Sequence, residues 1–161
     1  QEYRLLDLHA DGFNPVYSVD ELALFNKGQA LDPQVLSYQQ TLKETERLIF
    51  IFPIWWADMP AIVKGFLDKV FLKTLTYVEN PRTGLLEGRL TNIREAIVIT
   101  TSAAPRFYLK FFCGDVIQKA LIGHTLKGVG VPRGKWINFG RIGKSTPEKR
   151  QAFLEGLGRT V

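Results

Sequence analysis

The chain has 161 residues, 45% apolar and 23% charged, which suits one globular domain with a sizeable core. Its net charge of +5 favours acidic small molecules, phosphorylated cofactors among them, while the scatter of its basic residues argues against a nucleic-acid surface. A single cysteine, Cys113, excludes an intramolecular disulfide and fits a reducing compartment such as the cytoplasm. No apolar run reaches membrane-spanning length, so no membrane insertion is expected, and residues 1–7 lack the basic start and apolar segment of a signal peptide.

In chain order, Tyr3–Leu8 reads as a short strand, and residues 9–17, with Gly12, Asn14 and Pro15, read as a loop. Ser18 caps a helix over Val19–Asn26, because Glu21 three residues later completes a capping box, and Lys27-Gly28 ends it. Asp32 caps a second helix with Pro33 at its first position, running to about Glu46. Arg47–Phe52 is a buried strand that stops at Pro53. Pro60 opens a helix to Phe71 or Leu72, with Ala61, Ile62, Phe66, Leu67, Val70 and Phe71 at helical spacing. Residues 74–91 form a long excursion carrying Asn80-Pro81 and Thr83-Gly84 turns. Glu95–Thr101 is a second buried strand. Pro105 opens a helix that reaches about Ile122, Lys135–Phe139 is a last strand, and Thr146-Pro147-Glu148 starts a closing helix.

Buried strands alternating with amphipathic helices predict a parallel sheet covered on both faces. Right-handed crossovers then make a three-layer, doubly wound α/β domain. No repeat, low-complexity segment or linker divides the chain, so residues 1–161 read as a single domain.

In such sheets, ligands bind in loops at the carboxyl ends of strands. The loop after Phe52 holds Trp55 and Trp56. An indole pair there is either core or interface filler, or a flat wall for a flat ligand such as a flavin ring. Thr100-Thr101-Ser102 reads alone as a strand end with a serine cap. His9 and His124 have no partners at metal-ligand spacing, so no metal site is expected.

Residues 52–71, Phe-Pro-Ile-Trp-Trp-Ala-Asp-Met-Pro-Ala-Ile-Val-Lys-Gly-Phe-Leu-Asp-Lys-Val-Phe, resemble the signature of the flavodoxin-like NAD(P)H:quinone oxidoreductases, the family of DT-diaphorase and its bacterial relatives. Residues 7–15, 100–104 and 146–150 resemble further family segments in the same order. The resemblance implies a flavin, FMN or alternatively FAD, and NAD(P)H as electron donor. It places Pro53, Ile54, Trp55 and Trp56 beside the ring, and Thr100, Thr101, Ser102 and Ala103 at its polar edge. Trp56, Tyr77 and Tyr108 are implied at the substrate face, with Tyr108 as the catalytic candidate. Hydride would pass from NAD(P)H through flavin to quinone-like acceptors by a ping-pong mechanism, in a homodimer. The alternative is a flavin-binding ancillary subunit of a potassium efflux system.

Three departures accompany the resemblance. The chain is expected to begin at the fold's second strand, without the first strand and phosphate-binding loop. Ser102 and Ala103 stand where the family often has glycines. Cys113 stands where better-known members carry a proton-relay histidine, and a thiol in an apolar setting is a poorer proton donor.

Overall fold

The computed structural model describes residues 2–159. Its strands are β1 (Arg47–Pro53), β2 (Tyr77–Glu79), β3 (Leu86–Gly88), β4 (Glu95–Ser102) and β5 (Gly134–Gly140). Its α-helices are α1 (Val19–Leu24), α2 (Pro33–Glu44), α3 (Ala61–Val70), α4 (Arg106–Phe111) and α5 (Pro147–Leu157), and a π-helical segment covers Ile117–Leu126.

The main sheet is parallel, in the order β1-β4-β5, with Ile49 opposite Ile97 and Ile97 opposite Lys135. The central strand β4 is buried on both faces, as a parallel strand covered on two sides requires. On one face Phe52, Ala96 and Val98 join Val35, Tyr38 and Leu42 of α2, Phe66 and Val70 of α3, and Leu121 of the π-helical segment. On the other face α5 covers β5, and Phe139 meets Phe153 with ring centroids 4.7 Å apart. The α/β layering predicted from the sequence is therefore present.

Among the described residues β1 pairs with β4 alone, and on the α5 side of the sheet Ile49 and Ile51 are exposed, Ile51 by 73%.

Local signals set the helix ends. Ser18 and Glu21 form the expected capping box, and Asp32 accepts the N–H of Gln34 at 2.8 Å. A 3-10 turn over Phe25–Lys27 carries the first helix to Gly28, whose φ of +67° closes it. Lys69, 3% exposed, bonds Glu21 at 2.8 Å and the carbonyls of Asn14 and Val16 at 3.1 and 3.4 Å. It therefore pins the 13–18 loop and α1 to α3.

Three expectations are corrected. Tyr3–Leu8 forms no strand. Leu6 and Leu8 pack on the core while Tyr3 and Leu5 face solvent, but no neighbouring strand hydrogen-bonds the segment among the described residues. Alternating side chains make a strand only where a ladder partner exists. The helix from Pro105 to Ile122 breaks at Phe112–Val116, because Gly114 (φ +75°) and Asp115 (φ +55°) enter left-handed backbone. The 74–91 excursion contains the antiparallel β2–β3 hairpin, whose Gly88 backs onto Gly130 so closely that an added Cβ would lie 2.1 Å from the Gly130 nitrogen.

Candidate functional site

Two loops meet at the carboxyl ends of β1 and β4. The first is a tight turn. Trp55 and Asp58 exchange N–H···O bonds of 2.9 Å in both directions, and Trp56 (φ +50°) and Ala57 (φ +67°) occupy its two central positions. Two positive φ values in a row give the type I′ pattern, which favours Asn-Gly and strains an L side chain by about 1–2 kcal/mol per residue. The result is a fully exposed Trp56 (101%) beside a 58% exposed Trp55. A strained turn that presents an indole to solvent is a functional signal.

The second loop follows β4. The Ile54 N–H donates to the Thr101 carbonyl at 2.7 Å, which fixes the two loops side by side. Thr100 and Ser102 are buried, and their hydroxyls are used inside the protein. Thr100 donates to Asn138 Oδ1 at 2.8 Å, and Ser102 donates to the Ala104 carbonyl at 2.7 Å. The N–H groups of Trp56, Ala57, Ala103 and Ala104 find no acceptor among the described residues. The site thus combines an exposed aromatic surface with unengaged backbone donors, and these donors can meet the carbonyl oxygens of a planar heterocycle.

α4 starts directly after the second loop. Tyr108 is half-exposed, stacks on Phe112 at 5.4 Å, and its phenol makes no hydrogen bond among the described residues. Phe107, Phe111 and Phe112 are also exposed, so this end of the molecule is rich in uncovered aromatic surface. Cys113 is half-buried in the turn behind α4.

The structure brings together Pro53, Ile54, Trp55 and Trp56 with Thr100, Thr101, Ser102 and Ala103, and sets Tyr108 on the next helix. It does not bring Tyr77 to them within one chain. Tyr77 is half-buried in β2, beyond the far end of α3, about 15 Å of helix from the tryptophan turn. Arg106, the first residue of α4, is engaged internally. It pairs with Asp115 at 2.8 Å and lies 3.7 Å above the Trp136 ring. No group of three or more metal-ligating side chains is found among the described residues.

Sequence reasoning missed Trp136, Asn138 and Asp115. Trp136 and Asn138 stand two apart on β5, so they share a face opposite Val98 and Thr100. Two polar-tipped side chains on the covered face of a strand were the available signal, because buried polar groups need partners.

Residues 1–156 match the family described as having a flavodoxin-like fold. The chain belongs to this flavodoxin-like family. Among its relatives is NAD(P)H dehydrogenase [quinone] 1 of Cavia porcellus, 29% identical over 175 residues, covering 96% of this chain and 62% of that protein. Another is FMN-dependent NADH:quinone oxidoreductase 3 of Bacillus anthracis, 38% identical over 118 residues, covering 72% of this chain and 53% of that protein. The crystal structure of Smu.1420 from Streptococcus mutans UA159 is 32% identical with a TM-score of 0.80, covering 96% of this chain and 79% of that one. This flavodoxin-like chain thus spans about three fifths of the Cavia protein and about half of the Bacillus one. No helix among the described residues is long and apolar enough to cross a membrane.

Proposed function

We propose that this chain is the flavin-binding part of an NAD(P)H oxidoreductase that passes hydride from NAD(P)H to quinones and similar acceptors. The observation that carries the reading is the strained turn at Trp55–Asp58, held against Thr101 so that exposed indoles and unengaged N–H groups share one site. The names of the Cavia and Bacillus relatives support the quinone and the FMN.

When bound, flavin supplies a two-electron relay between nicotinamide and quinone. The protein's share is binding, orientation and electrostatics. Trp55 and Trp56 flank the ring as a wall, with Pro53 and Ile54 supporting it from the backbone. The Ala103 and Ala104 N–H groups, beside Thr101 and Ser102, donate to oxygens at the polar edge. Fixed donors of this kind stabilise negative charge that develops during reduction. Tyr108, with its free phenol, is the substrate-facing and catalytic candidate, because it can donate a proton or a hydrogen bond to an acceptor oxygen.

One open face serves donor and acceptor in turn, so the kinetics are ping-pong. The cofactor is FMN, with FAD the alternative. The exposed aromatic surface of α4 is the interface of a homodimer. Tyr77, remote from the turn in its own chain, acts on the site of the second copy. A single unpaired thiol accords with a cytoplasmic location.

The test is FMN titration by fluorescence quenching, followed by NADH and NADPH oxidation with a benzoquinone acceptor. Saturable binding and parallel double-reciprocal lines are expected. Absence of flavin binding overturns the reading.

A further inference from the structure

Behind the flavin loop lies a buried polar network whose direction is fixed by its chemistry. The Trp136 Nε1–H can only donate, and it lies 2.8 Å from Thr100 Oγ1. Thr100 must therefore accept from Trp136, and its own proton goes to Asn138 Oδ1 at 2.8 Å. That sets the Asn138 amide so that Nδ2 donates to Ser102 Oγ at 3.0 Å. The Ser102 proton then goes to the Ala104 carbonyl at 2.7 Å, the nearer of its two acceptors, since Asn138 Oδ1 lies at 3.2 Å and already accepts from Thr100. One donor-only indole thus polarises a chain that ends on the backbone of the 102–105 loop.

The same indole also holds the other end of that loop. Arg106, the first residue after it, lies 3.7 Å above the Trp136 ring. Asp115, 7% exposed, lies 2.8 Å from the guanidinium across the α4 turn, an ion-pair contact that lacks hydrogen-bond geometry. Both the edge and the face of Trp136 are therefore engaged, each with one end of the loop.

We propose that Trp136 is a positioning residue, a clamp that holds the Ala103 and Ala104 N–H groups in the direction they face. The inference rests on the flavin reading above for its consequence, but not for its geometry. By fixing donors that meet the reduced ring's developing charge, the clamp strengthens binding of reduced flavin more than of oxidised flavin.

The test uses the full chain and FMN. Trp136→Phe keeps a ring under Arg106 and removes the N–H, and Ser102→Ala removes the last donor while shortening the side chain by one atom. In the flavin-free protein, backbone order parameters of Ala103 and Ala104 are expected near about 0.85 in the parent chain and below about 0.6 in either variant. With FMN, either variant is expected to lose about tenfold in affinity for the oxidised cofactor and more for the reduced one. If Trp136→Phe does not fold, Ser102→Ala decides alone.

Unchanged order parameters, or FMN affinities equal to the parent in both redox states, overturn the clamp. A parent chain with an ordered loop that binds no FMN overturns the flavin reading. In that case loosening of the loop in the variants still supports the clamp.

Discussion

Lys69→Met tests whether the buried ammonium pins the first loop to α3. The structure gives Lys69 two carboxylates, Glu21 at 2.8 Å and Asp32 at 3.8 Å, and two carbonyls. At an effective dielectric of about 20, the nearer pair alone attracts by about 6 kcal/mol, and desolvation of both groups offsets several of these. Removing one partner of a buried pair costs about 3–5 kcal/mol, because the other is left buried. Here the lower end applies, since Glu21 keeps the Ser18 N–H at 2.8 Å and some access to water. A loss of about 3 kcal/mol lowers Tm by about 6–12 °C in a chain of this size.

The pH dependence gives a second arm. Burial raises the Glu21 carboxyl, but the Lys69 hydrogen bond, the Ser18 N–H and hydroxyl, and the Lys69 charge together hold it below its ordinary 4.5. A depressed folded value supplies stability that is complete above the unfolded value and is lost as pH falls through the folded one. The parent chain should therefore lose Tm from about pH 5 downward, and Lys69→Met should lose less over the same range. Thermal melts by circular dichroism at neutral pH and at about pH 4 measure this. A Tm within about 2 °C of the parent at neutral pH would refute the argument.

Ala57→Gly should relieve about 1–2 kcal/mol of left-handed strain and lose about 0.5–1 kcal/mol to chain entropy, so urea denaturation should show a net gain of about 0–1.5 kcal/mol, centred on about 0.75. Trp56→Ala should leave stability within about 0.5 kcal/mol, since the side chain is fully exposed, yet weaken FMN about tenfold in the quenching titration. Gly88→Ala drives a Cβ into the Gly130 backbone, where only main chain can yield, and should cost about 3 kcal/mol in the same denaturation assay.

The layers of the fold were legible because Leu48–Phe52 and Ala96–Ile99 are apolar runs whose covering helices announce themselves through Ser18, Asp32 and Pro60. The segment Tyr3–Leu8 misled because strand character depends on a neighbour that a side-chain pattern does not contain. The α4 break was missed because apolar residues run through Phe111 and Phe112 without pause, and only Gly114 marks the change of backbone hand. At the site, the tryptophan turn stood out through its aromatics. The polar network did not, because it joins Thr100 and Ser102 to residues 36 positions later, and local spacing is silent about such pairs.

The three indoles of the chain divide its fluorescence into two reporters. Trp55 and Trp56 stand exposed on the turn after β1, while Trp136 is half-buried beneath the Arg106 guanidinium. Quenching by iodide should therefore reach the first pair and spare the third, so one titration reads the surface of the turn apart from the interior.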